Sequence, residues 1–154
     1  MLLASSTLKT IAWAQQDFRT NKRGGDDGGY WRKDIAGLYI SLKDSKGAPD
    51  RILFADDRAL TELPPEQSRV RGPVEGRFWV RSIRFPAEDK ADPNRFAACC
   101  FPAAYGPGIR SHYVINQDGG VYRKDLGHAK GIDVYPADPV KEGWELLDEH
   151  RIGQ

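Results

Sequence analysis

The chain has 154 residues, 40 % of them hydrophobic and 29 % charged, with a formal net charge of +1. That length supports one domain with enough core to fold without staples. Basic residues are interleaved with acidic ones, which excludes the one-sided basic footprint of a nucleic-acid binder, and no apolar run reaches the length needed to span a bilayer.

Sixteen glycines and ten prolines point to a turn-rich sheet protein with few helices, and the opening MLLASS is too short for a signal peptide. Residues 5–20 read as a helix that Ser5, Ser6 or Thr7 caps by accepting hydrogen bonds from its first turn. Leu8, Ile11, Ala12, Gln15 and Phe18 recur at helical spacing, with Gln15 the one break in the apolar stripe. Trp13 lies to one side of that stripe, and a stripe this narrow must rest on something larger, for which a sheet is the natural support. The stretch NKRGGDDGG over 21–29 holds no regular structure, since its glycines supply backbone freedom and its aspartates turn chemistry.

Tyr30 and Trp31 lead through Arg32-Lys33-Asp34 into an expected strand over Ile35–Leu42, and Ser45-Lys46-Gly47 is a turn. A short strand is expected over 51–58 and a surface connection over 61–76, where Pro64-Pro65 excludes helix and ladder pairing. The run FWVRSIRF over 78–85 is the strongest strand by composition. In 96–101, Ala97, Ala98, Cys99 and Cys100 stand between two phenylalanines, and side chains that small let another element, the amino-terminal helix, approach closely. PAAYGPG over 102–108 is a turn. Ser111–Asn116 and Gly120–Asp125 flank Gln117-Asp118-Gly119 as a hairpin, with Tyr113 and Ile115 on one face and His112 and Val114 on the other. Residues 139–150 form an expected short helix with Asp138 as cap and Pro139 at its first position. The tripeptide Arg-Lys-Asp occurs at 32–34 and again at 123–125; if those segments pair, opposite charges face each other across a ladder.

Chemistry is harder to find. Cys99 and Cys100 are the two cysteines of the chain, and neighbours on a strand point to opposite faces, so bridging them demands a strained ring; they read as small apolar fillers. A thiol-dependent enzyme would take Cys99 or Cys100 as nucleophile, His112 as base and Asp118 or Asp125 as partner, but no hydrolase elbow, zinc pair or phosphate loop accompanies them. The three histidines are scattered, where zinc asks for short, ordered spacing. Asn21, Asp26 and Asp27 offer oxygens for a calcium ion, without the residue order of an EF-hand loop and with Lys22 and Arg23 among them. The flexible loop read without metal is the simpler alternative. Aromatic residues on an exposed sheet face would suit a glycan or a partner strand; most of them read as core.

In combination these segments resemble a known family. LKTIAWAQQDFRTN and YWRKDIAGLY, followed later by FAACCFPAAYG and HYVINQDGGVYRKDLG, resemble the soluble part of pilin-like, type II secretion pseudopilin-like proteins of planctomycete-type bacteria. YWRKDIAGLY, PAAYG and VINQDGGVYRKDLG are also similar to elements of the DUF2950 proteins, a family defined by sequence more than by activity. Residues 43–77 carry little of the resemblance. It implies an α+β, pilin-like single domain over 1–154, with the amino-terminal helix across an antiparallel sheet, in a periplasmic or envelope location. The implied role is non-enzymatic: assembly with other pilin-like subunits or envelope proteins. Trp13 and Gln16, on the helix face that the sheet leaves uncovered, are the expected partner-binding residues, together with Trp31, whose ring beside the flexible loop either anchors that loop or meets a partner. The chain starts Met1-Leu2-Leu3 without the prepilin cleavage motif or apolar helix of those subunits, so membrane attachment is expected only through a helix outside this sequence. The alternative is a free periplasmic DUF2950-type domain with no filament role and an unknown ligand.

Overall fold

The computed structural model describes residues 3–21, 28–42 and 73–148. The turn expected at 45–47, the strand at 51–58 and the connection up to residue 72 lie outside those residues. The described architecture is α+β: helices α1 (Leu3–Thr20) and α2 (Ile35–Leu42), then strands β1 (Phe78–Ile83), β2 (Ala97–Pro102), β3 (Ser111–Asn116), β4 (Val121–Asp125) and β5 (Glu145–Asp148). The strands form one antiparallel sheet in sequence order.

Strand alternation divides the core in two. Val80, Ala98, Cys100, Tyr113, Ile115 and Val121 meet Leu8, Ile11, Ala12 and Phe18 of α1 and Ile35 and Leu38 of α2. Each fully buried Leu or Ile in that layer contributes roughly 1.5–3 kcal/mol. The opposite face carries Ile83, Ala97, Cys99, Phe101 and Val114, and it is covered by Tyr135 and Trp144. Those two belong to a strap, residues 126–144, that leaves β4, crosses the sheet and returns to β5. Its far point is pinned at Arg84: the Arg84 N–H donates to Asp133 O (3.0 Å) and the Tyr135 N–H to Arg84 O (2.7 Å). The small residues of β2 thus admit close packing on both faces, by α1 on one and by the strap on the other.

Three expectations are corrected. Residues 35–42 are helical, not extended. Asp34 caps them, its Oδ1 accepting from the Gly37 N–H at 3.0 Å, and Gly37 lets the helix sit against Trp31: a Cβ there would lie 2.5 Å from both Asp34 Oδ1 and Trp31 Cζ2. The short helix expected over 139–150 is absent from its described part. Asp138 does act as a cap, its Oδ1 accepting from the Lys141 N–H at 3.2 Å, but Gly143 at φ +90° ends that single turn. The chain then enters β5, which pairs Glu145 with Arg123 and Leu146 with Tyr122. Finally, the two Arg-Lys-Asp tripeptides are not ladder neighbours. One precedes α2 and the other lies in β4; Arg32 pairs with Glu88 and Arg123 with Glu145.

Candidate functional site

Burial of one side of α1 against the sheet leaves Trp13 and Gln16 together on its outer side. Trp13 is 41 % exposed, and the exposed Gln16 donates from Nε2 to Thr20 Oγ1 at 3.3 Å. Trp31 sits elsewhere, half-buried on the inner side. Its indole N–H donates to Asp34 O at 2.6 Å and its ring meets Phe18 edge-on at 5.6 Å. Gln15, the break in the apolar stripe, holds it there: Gln15 Oε1 accepts from the Trp31 N–H at 2.8 Å, and Gln15 Nε2 donates to Trp31 O at 2.6 Å. One buried carboxamide therefore satisfies both backbone groups of Trp31, and the ring anchors the segment that follows the glycine-rich loop.

Of the candidate calcium residues, Asp26 and Asp27 lie outside the described residues. Asn21 closes α1, its Nδ2 donating to Asp17 O at 3.1 Å and to Asp17 Oδ1 at 2.8 Å. Among the described residues no group of three or more His, Cys, Asp or Glu is arranged to hold a metal ion.

The thiols and His112 are all fully buried. Cys100 faces the helices, and burial, with Cys99 beside it, pushes its thiol well above the ordinary value. Cys99 faces the strap, with its Sγ 3.9 Å from Ile132 O. His112 Nε2 lies 2.5 Å from Lys130 O; a carbonyl only accepts, so Nε2 carries the proton and Nδ1 the lone pair. That Nδ1 is buried without a hydrogen-bond partner among the described residues. The ring stacks on Phe101 at 6.0 Å and meets His128 edge-on at 5.3 Å. Burial, reinforced by His128 and Arg81 and opposed by the Lys130 carbonyl and Asp125, lowers its pKa. His112 fastens the strap to the sheet. Asp125 accepts from the Tyr105 hydroxyl at 3.0 Å, and Asp118 occupies the β3–β4 turn.

A charged cleft of about 540 Å³ opens where the start of α2 meets β1, with Arg32, Lys33, Arg84, Glu88 and Lys90 in its wall. Glu88 is its hub. Arg32 donates to both Glu88 oxygens, at 2.6 and 3.3 Å, and also to Asp92 O and Arg95 O, while the Arg95 guanidinium approaches Glu88 from the other side at 3.4 Å. The side chains of Arg32 and Glu88 are only 9 % and 5 % exposed. Burial alone would raise the Glu88 carboxyl; Arg32, with the Phe85 and Asp92 amides, outweighs it and holds the group below its ordinary value. This network ties the segment before α2 to the β1–β2 loop.

No family model, curated protein or solved structure matches the chain. Among the described residues no helix is long and apolar enough to cross a membrane. Sequence reasoning missed Gln15 as a clamp and Arg32–Glu88 as a buried pair. Gln15 carried a signal, being polar inside an apolar stripe. The pair carried none, because its members are 56 positions apart.

Proposed function

We propose that the domain is a non-catalytic assembly module, the head of a pilin-like envelope subunit, and that the outer side of α1 meets neighbouring subunits. The observation that carries this reading is the division of labour along α1. Its inner side is consumed by the sheet, yet a tryptophan stands on the other side beside Gln16. A large indole left in water gains by burial against a partner and is a residue type enriched at interface hot spots. The resemblance of LKTIAWAQQDFRTN to the helical stretch of pseudopilin-like proteins points the same way, and so does the placement of that helix across an antiparallel sheet. Trp31 serves this module as an internal anchor that fixes the helix pair.

Cysteine cross-linking tests the reading. Trp13→Cys and Gln16→Cys, introduced separately into the native-length protein in its own cells, should each give an oxidative adduct of two copies. Lys141→Cys, on the exposed turn before β5, should give none. Equal expression with no adduct from positions 13 and 16 would overturn the proposed role of this face.

A further inference from the structure

A second cleft, on the sheet face opposite α1, has a different chemistry from the Arg32–Glu88 cleft. Its volume is about 590 Å³, and its wall includes Asn116, Asp118, Tyr122, Tyr135, Pro139 and Leu146. These come from the β3–β4 turn, from β4, from the strap and from β5. Asp118 is the one charged side chain among the described residues that line it.

We propose that this cleft binds a neutral sugar residue of a glycan. Tyr135 is the central group. It is only 6 % exposed, its backbone N–H is tied to Arg84 O, and its ring is tilted against Phe85 at 5.5 Å. Its hydroxyl has no hydrogen-bond partner among the described residues. The hydroxyl is not among the fully buried unpartnered atoms, so it opens to the cleft, where it is free to donate to and accept from a bound polar group. Burial, with Tyr122 and Asp118 nearby, pushes the phenol up, so it keeps its proton to donate.

The rest of the lining suits a polyol. Asn116 Oδ1 already accepts from the Asp118 N–H at 3.0 Å, which leaves its NH2 to donate. The Asp118 carboxylate accepts, and the tyrosine hydroxyls do both. Sugar hydroxyls meet all of these, while the C–H surface of a pyranose suits Pro139 and the partly exposed Leu146. An anion would face the Asp118 charge, and a wholly apolar ligand would strand the carboxylate and the phenols. The volume is within the range of about 300–1,000 Å³ usual for small-ligand sites. Because the cleft and the outer side of α1 lie on opposite sides of the sheet, occupancy of one leaves the other open.

The test is a titration of the isotope-labelled full chain, followed by amide NMR, with maltotriose, cellobiose and triacetylchitotriose as separate probes. At least one should perturb the amides of Gly120, Tyr122 and Ala137 saturably, with a Kd on the order of 1 mM for so few contacts. Tyr135→Phe and Asp118→Asn, each with an unchanged melting temperature, should weaken that binding by roughly three- to tenfold. Silence of these amides toward all three sugars would overturn the proposal, as would binding that ignores both substitutions. Glucosamine serves as a cationic control: a response to it and to none of the three neutral sugars, abolished by salt, would also overturn the proposal in favour of a cation site.

Discussion

Gln15→Met removes the carboxamide while keeping an unbranched side chain of similar volume and helix propensity. In the native protein Gln15 is 2 % exposed and holds both backbone groups of Trp31. The substitution deletes two hydrogen bonds, each with a net worth of about 1 kcal/mol, and leaves one donor and one acceptor short of partners, at about 1–3 kcal/mol apiece where water cannot reach them. Trp31 is half-buried, so water recovers part of that penalty, and the expected loss is about 2–4 kcal/mol. Urea unfolding followed by tryptophan fluorescence measures it as a fall in midpoint at unchanged slope. Native-state hydrogen exchange adds a local readout, because the Trp31 amide should lose protection ahead of the β2 and β3 amides. A loss below about 0.5 kcal/mol, the size of an ordinary surface substitution, would refute the clamp.

Gly37→Ala should gain up to about 1 kcal/mol of helix propensity, yet lose about 1–3 kcal/mol to the overlap with Trp31 and Asp34, so the thermal midpoint should fall; a rise would show that α2 does not need this close approach. Glu88→Gln leaves the Arg32 charge buried without its counter-ion and should cost about 3–5 kcal/mol at neutral pH by urea unfolding. The folded Glu88 carboxyl lies below its ordinary value of 4.5, so its contribution is complete above that pH and is lost as the pH falls through the folded value. The gap between wild type and Glu88→Gln should therefore close in acid, and a gap independent of pH would contradict the assignment. Iodoacetamide at neutral pH should leave Cys99 and Cys100 unmodified in the native chain and modify both in urea, as read by intact mass. Rapid native labelling would revive the thiol-enzyme reading.

Local signals carried much of the fold. The 3.6-residue stripe of α1, the aromatic and β-branched β1, and the Asp-Gly loop between β3 and β4 are properties of neighbouring residues, and the structure places all three where the pattern does. IAGLYISL misled because it is apolar on every side. It therefore carries no period to separate a buried strand from a buried helix, and the decisive group is the Asp34 cap just upstream. WELLD, over 144–148, has the composition of a helix, but Gly143 turns the chain before it and β4 offers it an open edge. The Arg32–Glu88 pair and the Tyr135 cleft were not legible at all. Each is assembled from segments brought together by the loop after β1 and by the strap, whose paths depend on tertiary packing.

The amino terminus of the native protein, measured by intact mass and terminal sequencing from membrane and soluble fractions, separates an anchored subunit from a free domain. An assembly head predicts a longer chain in the membrane fraction, with an apolar helix upstream of α1. A native start at Met1, confined to the soluble fraction, would contradict the anchored pilin-like subunit and leave a free domain.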